Sequence, residues 1–138
     1  MSERNVLFSM YFNVQREIKM LSDSYKTTIT DELMRQRISA ARQYCIVILK
    51  AGPKRHEAGI ETIIWEHGRR NFALREAGLL SIVCPIADGS NVSGVGIFNA
   101  TVEEVNKIMD EDPAVQAGVL IYETHACRGF PGDSLPKE

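Results

Sequence analysis

Apolar residues recur at helical spacing in the first part of the chain. One series predicts an amphipathic helix over residues 5–21, and its members are Leu7, Met10, Val14, Ile18 and Leu21. A second helix is predicted to begin near Thr30-Asp31. Neither helix can bury its apolar stripe alone. We therefore expect this helical extension, residues 1–43, to pack on the main domain or on a partner subunit.

Short apolar runs rich in β-branched residues follow, and they predict strands. Four such runs are present, at residues 44–50, 79–86, 93–99 and 119–127. The third run contains Gly94 and Gly96. Glycine within a strand often marks a close approach of backbone or ligand, so this strand is a candidate wall for a binding site.

Two helical patterns separate the strands. The first covers residues 60–78 and ends at Gly78. Its apolar face consists of Ile60, Ile63, Ile64, His67, Asn71 and Leu74. The second helix opens with Thr101 and Glu104 at capping-box spacing and is predicted to end near Asp112-Pro113.

The order of elements from residue 44 is β-α-β-β-α-β. This order indicates a ferredoxin-like α+β domain over residues 44–130, a four-stranded antiparallel sheet with both helices on one face, followed by a tail over residues 131–138. Both helices on one face leave the other sheet face open. We expect a second copy of the sheet to cover it, which predicts a homodimer or a higher homo-oligomer.

Composition and charge exclude several classes of function. The chain is 44% hydrophobic and 25% charged, as ordinary globular domains are, and its net charge of −2 gives no support to nucleic-acid binding. It contains no run of 18 apolar residues that would span a membrane. The three cysteines lie in apolar strand-like runs and are too few for a disulfide framework, which points to a reducing, cytoplasmic location.

His67 is the strongest candidate for chemistry because its imidazole lies in the middle of an apolar helix face. Such a ring needs a hydrogen-bond partner, or it lines a cavity. Asp88, in the turn after the second strand, is its most plausible partner in the sequence. A carboxylate there would fix the tautomer and give a positioned general base. Two alternatives stay open: a packing histidine, and an Asp-Gly pair that serves the turn alone.

Other polar residues are candidates for contacting a small-molecule substrate. Arg69 and Arg70 form a cationic pair that can hold a carboxylate, although such pairs more often lie on a solvated edge. Asp112 is a further candidate, although an Asp-Pro pair also stops a helix. His125 shares one face of the last strand with Glu123, where it reaches a cavity or a dimer seam unless the position is an exposed rim.

No metal or cofactor motif is present in the sequence. His56, His67 and His125 do not include a pair at metal-ligand spacing. A nucleophile elbow, a phosphate loop and a dinucleotide fingerprint are also absent. We therefore expect chemistry that needs neither a metal nor a cofactor.

The region from Tyr44 to about Phe130 resembles the YciI-like (YCII-related) domain family. The matching features are the strand from Tyr44, the helix with His67 eleven positions before Gly78, Pro85, Ala-Asp-Gly 87–89, the glycine-bearing third strand, and Asp-Pro-Ala-Val-Gln-Ala-Gly 112–118 followed by a strand to His125. The resemblance implies a dimeric α+β barrel. It also implies a cleft with a histidine and an aspartate, which map to His67 and Asp88. One branch is similar to chlorohydroxyhydroquinone dehydrochlorinase, and the wider superfamily includes muconolactone isomerase.

Three hypotheses for function follow. The first is a cofactor-independent lyase or isomerase in which His67, oriented by Asp88, takes a proton from a carbon next to a carbonyl in a small cyclic acid. The second is a dimer that binds a small molecule without chemistry. The third is a cofactor-free barrel monooxygenase, which oxygen consumption would distinguish from the first.

Overall fold

The computed structural model describes residues 3–24 and 28–137, without the side chains of residues 21–24. The chain divides into two compact units, Met1–Arg37 and Ile38–Glu138. Helix α1 spans Glu3–Ser24, which confirms the first predicted helix, and α2 spans Asp31–Ser39. The apolar stripe of α1 is exposed at Leu7, Met10, Val14 and Ile18, while the side chain of Leu21 lies outside the described residues. What the stripe packs on stays a prediction.

The second unit has the predicted β-α-β-β-α-β order. Its strands form one antiparallel sheet in the order β2-β3-β1-β4, with the bounds β1 Arg42–Ala51, β2 Leu80–Pro85, β3 Val92–Phe98 and β4 Leu120–Gly129. The helices are α3 Glu61–Glu76, α4 Val102–Asp110 and a short α5 Pro113–Gln116. This α+β arrangement is the ferredoxin-like fold that the sequence predicts.

Alternation along β1 separates the two faces of the sheet. Cys45, Val47 and Leu49 are buried against the helices, whereas Ile46 and Ile48 point to the opposite face and are only half-buried. The core on the helix side is made of Cys45, Val47, Leu49, Ile60, Leu80, Phe98, Val105, Met109, Ala114, Val119 and Leu120. One face of the sheet is therefore packed and the other is an apolar surface.

The predicted ends of two helices are confirmed. Gly78 follows the C-cap residue of α3 with φ +76°, the left-handed conformation that a glycine adopts at this position without steric cost. At the start of α4, Thr101 and Glu104 form the reciprocal capping box: the Glu104 amide donates to the Thr101 hydroxyl, and the Thr101 amide donates to the Glu104 carboxylate.

Helix α5 is an addition that the sequence analysis missed, because an Asp-Pro pair at this place predicts the end of the preceding helix and gives no sign of a new one. Asp112 is in fact the N-cap of α5, and its Oδ1 accepts hydrogen bonds from the amides of Ala114 and Val115. Pro113 occupies the first helical position, where its missing N–H costs nothing. An Asp-Pro pair can thus stop one helix and begin another.

Strand β4 is fastened to α4 by polar side chains on its packed face. The Tyr122 hydroxyl donates to Asp110 Oδ1 at 2.6 Å, and Thr124 Oγ1 lies 2.8 Å from Asn106 Oδ1. Burial, together with the hydrogen bond to and the charge of Asp110, raises the pKa of Tyr122 to about 12. The predicted alternation along this strand is confirmed by the register with β1.

A tight turn after β1 lies against the connection between α5 and β4. The Gly52 amide donates to the Val119 carbonyl, and the Lys54 amide donates to the Gly118 carbonyl, both at 2.9 Å. A Cβ at Gly52 would lie 2.4 Å from the Gly118 carbonyl oxygen. Only glycine permits this approach, which fixes the turn that carries Arg55.

The sequence contains no apolar run long enough to span a membrane, and the helices agree with this. Among the described residues, no helix combines the length and the apolar character needed to cross a bilayer.

Candidate functional site

His67 projects from α3 into a cavity between this helix and the packed face of the sheet. The cavity measures about 240 Å³, and most of its lining side chains are apolar. Gly94 and Gly96 of β3 contribute backbone to its wall. A Cβ at these positions would lie 3.2 Å from the Cys84 carbonyl oxygen and 3.1 Å from a Leu80 methyl, respectively. The glycines of the third strand therefore allow the close backbone packing that the sequence suggests.

Both ring nitrogens of His67 have partners. Nδ1 lies 2.8 Å from Asp112 Oδ2, and Nε2 lies 3.1 Å from the side-chain nitrogen of Asn71, one helical turn further along α3. An amide NH₂ can only donate, so Nε2 must accept. With Asn71 in this orientation the ring proton is assigned to Nδ1, where Asp112 accepts it, and the Nε2 lone pair is engaged by the Asn71 amide.

Asp112 is fully buried, at 0% exposure. Burial opposes its ionisation, but the hydrogen bond from His67, the charge interaction with it and the amides of Ala114 and Val115 outweigh burial and lower the pKa of Asp112 below its ordinary value. The carboxylate is thus ionised at neutral pH and stabilises positive charge on the imidazole. Both of its oxygens have protein partners. The contact of Asp112 with a substrate that the sequence analysis suggested stays a prediction.

Arg70 is the third charged member of this cluster. Its guanidinium lies 3.7 Å from Asp112 Oδ2 and 3.8 Å from Glu111 Oε2, and its side chain is 24% exposed. Its buried Nη1 makes no hydrogen bond among the described residues. Arg70 therefore places a positive charge beside the buried carboxylate, and its contact with a substrate stays a prediction.

The predicted pairing of His67 with Asp88 is wrong within the chain. Asp88 is exposed, and its Oδ1 accepts from the amide and the hydroxyl of Ser90. These two hydrogen bonds lower the pKa of Asp88. Asp88 therefore stabilises its own turn, the alternative that turn chemistry favours. The hydrogen bond to His67 that was predicted for Asp88 is made by Asp112.

Two further candidates lie away from the His67 cavity. Arg69 is exposed and pairs with Glu66 one turn earlier, its Nε lying 3.2 Å from Oε2. His125 lies on the open sheet face, 57% exposed and 3.9 Å from Glu123. Within the described ranges, no group of three His, Cys, Asp or Glu residues could hold a metal ion.

The structure adds two cavity residues that the sequence analysis did not single out as functional. Asn71 was identified only as a member of the apolar helix face, although its spacing of four residues from His67 places the two side chains side by side. Arg55, from the turn after β1, also lines the cavity. It belongs to the basic run Lys54-Arg55-His56, which the sequence shows but which more often marks a solvated edge than a ligand site.

Comparisons with known proteins find a distant structural similarity. No family model and no curated protein sequence matches the chain. Among solved structures, the chain is similar to 5-chloro-2-hydroxyhydroquinone dehydrochlorinase (TftG) from Burkholderia phenoliruptrix AC1100 in complex with 2,5-dihydroxybenzoquinone, with 17% identity and a TM-score of 0.41 over 59% of this chain and 90% of that chain. A match at this distance carries no argument about activity. The YciI-like resemblance stays a prediction.

Proposed function

We propose that the chain is a cofactor-independent enzyme of the lyase or isomerase type, with His67 as the general base toward a small cyclic acid in the cavity beneath α3. The observation that carries this proposal is the environment of the imidazole. Nδ1 lies 2.8 Å from a buried carboxylate, and the His67 side chain lines the cavity. A cavity of about 240 Å³ is large enough for one ring, since apolar cavities of about 150 Å³ bind benzene.

The chemistry follows from these positions. Nε2 takes a proton from a carbon next to a carbonyl, and the electron pair of the broken C–H bond moves into an enolate. In an isomerase the proton returns to another carbon of the same molecule. In a lyase the enolate expels a leaving group as an anion, a new double bond forms, and the imidazolium then releases its proton to water, which restores the base. Asn71 must release Nε2 for this step, and its amide is then free to donate to the enolate oxygen.

Asp112 takes the orienting role that the sequence analysis gave to Asp88. An ionised carboxylate on Nδ1 holds the ring in one tautomer and stabilises the imidazolium that forms when Nε2 gains a proton. Asp112 is a positioning residue, because its oxygens contact only protein.

The second candidate function is a ligand-binding protein without chemistry. It is favoured by the occupied state of Nε2, because a fully hydrogen-bonded imidazole is also what a structural role requires. The two functions predict different results for a His67 variant. An enzyme would lose its reaction, whereas a ligand-binding protein would change only in its affinity for the ligand.

The experiment is proton exchange and turnover with His67→Gln. Substrates are chlorinated hydroquinones and unsaturated lactones, and NMR in D₂O records deuterium entering the carbon next to the carbonyl. We expect the variant to lose about 100-fold in rate, the range for removal of a general base. His56→Gln, an exposed histidine outside the cavity, is the matched control. An accepted substrate that reacts at the same rate with His67→Gln would remove the imidazole from the mechanism.

We also propose that the open sheet face pairs with a second copy, as a homodimer. The face carries half-buried Ile46, Ile48, Val95 and Ile97 in register with one another. Ile48→Glu would place a charge in the centre of this surface, so we expect the mass from light scattering to fall from twice that of the chain to that of one chain. Thr62→Glu, exposed on α3, should leave the mass unchanged. A wild-type chain that is already a monomer at all concentrations contradicts the proposal.

A further inference from the structure

The His67 cavity has an unusual charge composition. Among its lining residues Arg55 is the one that carries a permanent charge, and none is an aspartate or a glutamate. The remaining polar lining groups are His67, Asn71 and Ser93, and the rest of the wall is apolar or sulfur-containing. A cation in a largely apolar cavity favours an anionic guest, because the low dielectric of the wall strengthens the attraction.

The guanidinium of Arg55 is also without a protein partner. Among residues 3–24 and 28–137 it forms no ion pair and no side-chain hydrogen bond, unlike Arg69 and Arg70, which face carboxylates. The side chain is nevertheless half-buried. An unpaired fork of N–H donors at a cavity suits a ligand that brings its own acceptor oxygens.

The backbone holds Arg55 firmly at this place. Its amide donates to the Gly52 carbonyl at 3.1 Å, and the neighbouring Lys54 amide donates to Gly118. The turn is thus anchored to the segment that follows α5, the same helix whose N-cap contacts His67. The cation and the base are therefore fixed to one local framework, as a site that orients a ligand requires.

We propose that Arg55 binds the anionic oxygen of the ligand, so that the cavity selects a single-ring acid over an uncharged ring of the same shape. The inference rests on the proposed function for the cavity, and it replaces Arg69 and Arg70 as the groups that hold the acid. Arg55 would anchor the acidic group at the cavity edge, and the apolar wall would contain the ring next to His67.

Binding of benzoate and of its uncharged isostere benzamide tests this proposal without turnover. Each is titrated into ¹⁵N-labelled protein, and the amide signals of Gly94 and Gly96 report occupancy of the cavity. We expect wild type to bind benzoate more tightly than benzamide. Arg55→Met should weaken the binding of benzoate about 10-fold, as loss of a charge-assisted hydrogen bond does, and leave the affinity for benzamide unchanged.

Two further variants make the result specific. Arg69→Met removes the same charge outside the cavity lining and should change neither affinity. Arg55→Lys keeps the charge and should restore part of the preference for benzoate. Added salt should weaken the binding of benzoate to wild type more than its binding to Arg55→Met, because salt screens the attraction between the two charges.

The outcomes separate this inference from the proposed function. Benzoate affinity that is insensitive to Arg55, or an equal loss for both probes, overturns the anion site even where turnover depends on His67. A preference for benzoate that depends on Arg55, together with a reaction rate that is unchanged in His67→Gln, supports the anion site and refutes His67 as the general base. Glycine signals that respond to neither probe at 20 mM, roughly the weakest binding that matters for a small ligand, refute the cavity as a ring site altogether.

Discussion

Asp112→Ala is expected to lower the free energy of unfolding by about 3–5 kcal/mol, the range for removing one member of a buried charged pair. The substitution leaves His67 Nδ1 without an acceptor and Arg70 without the buried carboxylate that faces it at 3.7 Å. It also removes the cap of α5, which by itself is worth about 1 kcal/mol. Urea denaturation followed by circular dichroism at pH 7 measures the change.

Two controls test the cause. Asp112→Asn keeps an oxygen for the α5 cap but removes the charge, so it should retain part of the stability. Asp88→Ala removes an exposed aspartate with two local hydrogen bonds and should cost about 0.5 kcal/mol or less. Equal losses for Asp112→Ala and Asp88→Ala would contradict the assignment of Asp112 as the buried partner of His67.

The effect of Asp112 has a defined pH dependence. Because the folded state lowers the pKa of this carboxyl, its contribution is fully present above the ordinary aspartate pKa of about 3.9 and is lost as the pH falls through the lower folded value. The difference in stability between wild type and Asp112→Asn should thus be constant near neutrality and shrink below about pH 4. A difference that stays constant into strong acid would show that the charge contributes nothing.

Gly52→Ala is expected to destabilise the fold by about 3 kcal/mol, at the upper end for overpacking. The new methyl would meet the Gly118 carbonyl oxygen at 2.4 Å, and the other nearest atoms also belong to backbone. No flexible side chain can move aside, so the turn or the start of β4 must shift and break the bond between the Gly52 amide and Val119. Thermal denaturation at a fixed protein concentration measures the loss.

Gly68→Ala is the matched control for that prediction. Gly68 lies within α3, and a Cβ there would meet no atom within 4 Å. Alanine should therefore stabilise the helix by about 0.5–1 kcal/mol. If Gly52→Ala is as stable as wild type, the close approach of the two chain segments is not required by the fold.

The sequence was sufficient for the architecture because the relevant signals are local. The apolar run of β1, the glycine after α3 and the capping box at Thr101 each depend on neighbouring residues, and each predicted element is confirmed. The short α5 was missed because four residues give no periodicity and Asp-Pro serves both as a stop and as a start.

The candidate site was predicted only in part. His67 stood out because a polar group on an apolar helix face needs a partner. The identity of that partner depends on which loop the tertiary fold places against α3, and 45 positions separate His67 from Asp112. Asp88 was nearer in sequence and more conspicuous in its turn, but spacing carries no information about contacts of this kind. The basic run that contains Arg55 was visible in the sequence, but only the tertiary fold shows that it lines the cavity.

Asp112 has two structural roles: it caps the N-terminus of α5 and it contacts the imidazole of His67. In laboratory evolution of a new activity, position 112 would consequently tolerate few substitutions, because any replacement destabilises the fold as well as changing the site. Val83 lines the same cavity from β2 and is only half-buried. It is a position where a library could reshape the cavity while the fold survives.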